Sequence, residues 1–161
     1  MVTTRNFAGL IVAASVAALA GAFYSQYVWG LEPCPLCLYQ RVPYGVTIVL
    51  GIVALAGRWP LACLALAGVV LIGESGLAFF HVGVEQHWWA GLDACAQASA
   101  SPETTAELLT MLMDEPPPLP CDQVPWSLFG ISMAGYNGLY AAVLAVVSLA
   151  GVADLRRKAR M

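Results

Sequence analysis

Charge is what this chain has least of: Lys and Arg together number seven and Asp and Glu ten, 11% of 161 residues, where a soluble domain carries about 25%. With hydrophobic residues at 60% and a mean hydropathy of +0.74, the sequence has far more apolar surface than a water-soluble core of this length can use. The formal net charge of -3 gives no basic face, so the partners expected do not include nucleic acid. No Cys-x-x-Cys-His occurs, which leaves covalent haem unsupported, and no internal repeat is evident. Proline is concentrated in one tract, 116–120, expected to be extended and semi-rigid and to deliver Cys121 at its end.

What the chain does have is long apolar runs. A hydrocarbon core about 30 Å thick takes about 20 helical residues, and four stretches meet that length: 7–27, 38–57, 61–80 and 134–153. The fold expected is all-α, a four-helix transmembrane bundle, with 1–161 as one integral membrane domain and the loops 28–37 and 81–133 on one side. Arg5, Arg58, Arg156, Arg157, Lys158 and Arg160 share the other side, which the bias of cationic loops makes cytoplasmic, with both termini there; Arg41 is the exception. Trp29, Trp59, Trp88, Trp89 and Trp126 fall at or near span ends, where amphipathic rings are best placed. Arg5, the run behind it and Ala18-Leu19-Ala20 also match a cleavable signal peptide. The run is long for one, and it passes into Tyr24, Tyr27 and Trp29, which suits a retained span.

In the long loop, Ser101 as N-cap, Pro102 at the first helical position and Glu103 in the first turn predict a short helix. Its Leu108, Leu109, Met111, Leu112 and Met113 suit either the membrane surface or the tops of the spans.

Four cysteines fall in the loops as two pairs, Cys34 with Cys37 and Cys95 with Cys121. In an oxidising compartment two static disulfides are the simplest reading. Cys34-Pro35-Leu36-Cys37 argues for more, because so small a loop restricts the unfolded chain little while its spacing is the one used for reversible dithiol chemistry. Arg41 stands four residues after Cys37; on one helical face it would favour the thiolate there, although Pro43 disfavours helix at Val42. Cys95 lies among Ala94, Ala96, Ala98, Ser99 and Ala100, with nothing bulky to anchor the backbone, as suits a segment that moves its cysteine toward a partner. A different class of function stays open: the cysteines with His81 or His87 as a zinc or copper site, although Cys95 and Cys121 are not the second closely spaced pair that zinc usually takes.

The set formed by Cys34-Pro-Leu-Cys37-Leu-Tyr-Gln-Arg41, the outer Cys95 and Cys121, and Trp126-Ser-Leu-Phe-Gly-Ile-Ser-Met133 before a fourth span resembles the disulfide bond formation protein B (DsbB) family over nearly the whole chain. The resemblance implies an oxidoreductase of the bacterial inner membrane. It would reoxidise a periplasmic DsbA-like thiol carrier and pass the electrons to the membrane quinone pool, ubiquinone or menaquinone. A carrier at about -120 mV stands roughly 180 mV above structural disulfides near -300 mV, about 8 kcal/mol, so an external electron sink has to drive the cycle. By the same resemblance Cys95 takes the mixed disulfide with the carrier and Cys121 is its partner in the loop disulfide. Cys34 is then the exchanging member of its pair, and Cys37 meets the quinone with Arg41 polarising a quinone oxygen. No metal is implied.

His81 and His87 flank the outer end of the third span and are candidates for a proton or hydrogen bond at the quinone, or interfacial histidines without a role. Glu74 is an ionisable group inside a span, a functional candidate by its cost alone. Cys63 is expected to pack as a small apolar residue. Gly45, Gly51, Gly68, Gly73 and Gly76 are expected where helices approach closely.

Overall fold

The structure, a computed structural model, describes residues 4–98, 105, 109 and 119–161. Among them, four helical segments are long and apolar enough to cross a membrane: Thr4–Tyr27, Pro35–Leu55, Pro60–Glu85 and Met133–Lys158. The first is α1. The second is built of α2 (Pro35–Tyr39) and α3 (Arg41–Leu55), with their seam at Gln40. Pro43 has no amide to give the carbonyl of Tyr39, which is the local reason for a seam there. The third is α4, the fourth is α6, and the short α5 (Asp93–Ala98) lies between them.

The helices run alternately up and down. α1 packs on α3, α3 on α4 and α4 most extensively on α6, and α6 closes back on α1. That order around the bundle is not readable from the sequence. The outward faces are apolar, with Val42, Val49, Ile52, Val69, Val143 and Val146 all exposed, the reverse of a soluble bundle and suited to lipid. The inward faces carry small side chains around Ile11, Leu64 and Leu71. They are crossed by hydrogen bonds from side chains to backbone: Ser148 Oγ donates to Leu64 O at 2.8 Å, Ser75 Oγ to Gly138 O at 3.1 Å, and Tyr140 Oη to Ala14 O at 2.9 Å. Such bonds join helices where no water competes.

Close approach uses only part of the expected glycine set. Gly51 faces Val12 and Gly68 faces Leu149, as do Gly138 with Ala78 and Gly151 with Phe7, whereas Gly45, Gly73 and Gly76 have open space where a side chain would stand. Those three lie on faces that no helix covers.

Aromatic rings collect at the cysteine end. Tyr24 meets Trp29 edge-on, and Phe79, Phe80, Trp88 and Trp89 form one group at the end of α4. The 127–132 segment, expected only as loop, is a hairpin, β1 (Ser127–Leu128) on β2 (Ile131–Ser132). Phe129 and Gly130 both have positive φ, as a two-residue turn matching strand twist requires. Ser132 then caps α6 by accepting from Gly135 N at 3.1 Å.

Ser101, Pro102, Glu103, Leu108, Met111, Leu112 and Met113 of the expected loop helix lie outside the described residues, as do Pro116, Pro117 and Pro118; Leu109 is helical and exposed.

Gly83 tests the packing at the cysteine end. A Cβ there would overlap the Trp89 indole, which is stacked on Phe80 and donates to Phe80 O at 2.8 Å. Gly83→Ala is expected to destabilise by about 1–3 kcal/mol, whereas Gly73→Ala, with nothing in the way, leaves stability unchanged or slightly raised. Thermal unfolding of both variants in one detergent measures the difference.

Candidate functional site

The start of α2 builds the first half of the site. Cys34 is the N-cap and Pro35 the first helical residue, so Cys34 Sγ accepts from Cys37 N at 3.2 Å. A sulfur here takes the place of the usual capping oxygen. The same geometry brings Cys34 Sγ to 2.8 Å from Cys37 Sγ, with Cys34 donating. Both are free thiols, Cys34 buried and Cys37 half-buried. The bond its proton makes to Cys37, and then burial, push the Cys34 thiol well above its usual range, against a smaller opposing pull from the amides of Cys37 and Leu36.

The second half comes from the loop. Cys95, in α5, is bonded to Cys121. Both are buried, and with Cys34, Leu36 and Val84 they form one cluster against which Cys37, Leu77, Phe80 and Leu119 pack. The small residues around Cys95 suit a segment with little of its own to hold it; the expected disulfide to Cys121 and the burial of Cys95 anchor it.

His81, on α4, joins the halves. Its Nε2 lies 3.5 Å from Cys34 Sγ, and the ring also has the backbone of Cys121 as a hydrogen-bond partner. One imidazole therefore touches a member of each cysteine pair. His87 is not brought in; it sits exposed at the turn after α4 with φ of 57°.

Arg41 stands near Cys37 and acts on it through charge, but its guanidinium hydrogen-bonds elsewhere. The guanidinium is turned to α1, where Nη1 donates to Gln26 Oε1 at 2.8 Å and the group lies 4.9 Å from the centre of the Phe23 ring. Its buried Nε has no hydrogen-bond partner among the described residues. The shared helical face expected for Cys37 and Arg41 thus yields proximity without contact, because α1 offers the cation an amide oxygen and a π face.

Several residues here went unremarked as site candidates in the sequence. Glu85 ends α4 buried, bonded to the Ser132 side chain and in electrostatic range of Cys37. Gln40 Nε2 meets His81 Nδ1 at 3.1 Å, and Asn137 Nδ2 donates to Gln40 Oε1 at 2.9 Å. Asn137, a polar residue inside an apolar run, carried the signal that could have found it. Cys63 stands apart, its Sγ 3.6 Å from Arg58 O.

A metal centre would need the donors of Cys34, Cys37 and His81, which lie within 4.8 Å of one another. The sulfurs at 2.8 Å are closer than the about 3.8 Å that two thiolates take on tetrahedral zinc with Zn–S near 2.3 Å. Cys95 and Cys121 are committed to each other. The arrangement suits a dithiol one step from a bond, next to a second disulfide.

The family model described as "Disulfide bond formation protein DsbB" matches residues 4–151. The chain is similar to proteins named "Disulfide bond formation protein B": 31% identical over 160 residues in Haemophilus influenzae, covering 94% of this chain and 90% of that one. It is 30% identical over 155 residues to that of Albidiferax ferrireducens, covering 91% and 86%, and 31% over 168 residues to that of Paracidovorax citrulli, covering 97% and 91%. No solved structure matches the chain.

Burial and the raised Cys34 thiol set an order of reactivity. With the Cys34–Cys37 pair reduced, a small alkylating reagent at neutral pH is expected to modify Cys37 at least about tenfold faster than Cys34. Mass spectrometry of the quenched protein reads the ratio, and equal rates would contradict the assigned roles of the two sulfurs.

Proposed function

Since the chain belongs to the DsbB family of disulfide bond formation proteins, we propose that it reoxidises a periplasmic DsbA-like thiol carrier and passes the electrons to a membrane quinone. The observation that carries this reading is the single buried cluster that holds both cysteine pairs, with His81 against each. Two static disulfides would not need to share a cluster.

The exchange balances as follows. A carrier thiolate attacks Cys95, forming a mixed disulfide and releasing Cys121 as thiolate; the second carrier thiol, deprotonated, closes the carrier's disulfide and frees Cys95. Cys121 attacks Cys34 of the oxidised Cys34–Cys37 pair, and Cys37 leaves as thiolate. Cys95 then attacks Cys121, which restores the loop disulfide and releases Cys34. Two electrons and two protons have left the carrier, and the first pair is a dithiol.

A quinone, when bound, supplies an acceptor for two electrons and two protons. Arg41 fits it on structural grounds, because its buried Nε lacks a partner among the described residues and stands beside the half-buried Cys37. An N–H held there by Gln26 and Phe23 is placed to meet a ring oxygen as negative charge develops. Ubiquinone and menaquinone both present such an oxygen. The basic residues at the far ends of the helices support cytoplasmic termini in a bacterial inner membrane.

Purified protein in detergent, given a reduced DsbA-like carrier, is expected to reduce added quinone. Cys37→Ser and Cys95→Ser should each abolish turnover, and Arg41→Ala should raise the quinone concentration for half-maximal rate about tenfold, the worth of one charge-assisted hydrogen bond. Absence of carrier-dependent reduction by the native chain would sink the reading.

A further inference from the structure

The line of polar side chains behind the cysteines runs deep into the bundle. From Cys34 it passes to His81 on α4 and Gln40 at the seam of α2 and α3, then to Asn137 on α6 and back to Glu74 on α4. Glu74 is fully buried, and its Oε2 has no partner among the described residues. Nothing in the sulfur exchange uses this carboxyl.

The polarity of the line can be worked out atom by atom. Asn137 Nδ2 donates to Glu74 Oε1 at 2.7 Å and to Gln40 Oε1 at 2.9 Å, while Asn137 Oδ1 accepts from Tyr44 Oη at 2.6 Å. Both amide protons and the amide oxygen of Asn137 are thus spoken for. Gln40, its oxygen engaged, can offer His81 only its Nε2, which is a donor. Nδ1 of His81 is then the lone-pair nitrogen, and a neutral imidazole of that tautomer carries its proton on Nε2, where the backbone of Cys121 and Cys34 Sγ share it. With Glu74 ionised, reversing Asn137 would set oxygen against oxygen at both Glu74 and Gln40, and reversing Gln40 would set donor against donor at Asn137.

We propose that Glu74, acting through Asn137 and Gln40, fixes His81 in the tautomer that presents an Nε2–H to Cys34 Sγ, so that His81 is a catalytic residue for Cys34 and the other three are positioning residues. The inference rests on the exchange reading and deepens it. When Cys95 attacks the Cys121–Cys34 bond, the electron pair stays on Cys34, and the Nε2–H is in place to hold that thiolate. The ionisable groups around Cys34 are Cys37 on its own helix and His81 on α4; Glu85 of α4 and Arg41 of α3 act on Cys37.

The test measures Cys34 alone, without carrier or quinone, so its failure is separable from failure of the exchange reading. In the full chain carrying Cys37→Ser and Cys63→Ala, with the loop disulfide intact, iodoacetamide labelling of Cys34 is followed against pH. Adding His81→Phe or Glu74→Leu is expected to move the midpoint up by about one unit, about tenfold slower labelling below it. Glu74→Gln, which keeps an acceptor for Asn137, retains the native profile. His81→Phe with Glu74→Leu labels no more slowly than His81→Phe alone. Should Glu74→Leu not run as a monodisperse species, Gln40→Leu takes its place with the same expectation. An unmoved midpoint in folded Glu74→Leu or Gln40→Leu, or additive shifts in the double variant, would overturn the proposal; a line of merely structural bonds lowers stability and leaves the midpoint where it was.

Discussion

Hydrocarbon offers no hydrogen bonds, so a polar group placed between these helices is satisfied inside the bundle or not at all. Most of that demand is met by single links from a side chain to a neighbouring carbonyl, as with Ser148 on Leu64 and Ser75 on Gly138. The exception is the connected line from Glu74 through Asn137 and Gln40 to His81. With Glu74 ionised, such a line has one polarity, and its far end lies at the sulfur of Cys34. The apolar exterior and the order at the cysteines are two consequences of the same scarcity of water.

The site is assembled where helix termini, which bring unpaired amides, meet the cysteine end of the bundle. Cys34 is both the cap of α2 and, in the proposed exchange, a reacting sulfur, so the backbone geometry that starts the span also aims the thiol at Cys37. Arg41 is fastened to α1 by Gln26 and Phe23, which costs it a direct bond to Cys37 but holds a guanidinium N–H in place. The loop disulfide is packed into the same cluster, and a thiolate released there has only a short way to travel. The chain is a multi-pass membrane protein of a disulfide-forming family, and these contacts are what its particular sequence adds to that membership.

Much of this could be read without coordinates, for physical reasons that also mark where reading stops. A span is a local property of about 20 residues, so the four helices showed themselves as apolar runs, and Cys34 with Cys37 declared itself by spacing. Helix order, the shared cluster and the line from Glu74 to His81 join residues far apart in the chain, Gln40 to Asn137 across 97 positions, and no local pattern encodes them. Glycines were over-read: Gly45, Gly73 and Gly76 look like packing positions until the faces they occupy prove uncovered. The Phe129-Gly130 turn escaped because a phenylalanine with positive φ is the opposite of the usual turn signal.

The account stands on the two cysteine pairs being able to exchange with each other. Its most direct test is disulfide mapping, under mild oxidation in detergent, of a chain in which Cys37 and Cys95 are both replaced by serine. A bond between Cys34 and Cys121 within one chain, in high yield, is the result the account predicts. Two persistently free thiols, or bonds only between separate chains, would contradict it.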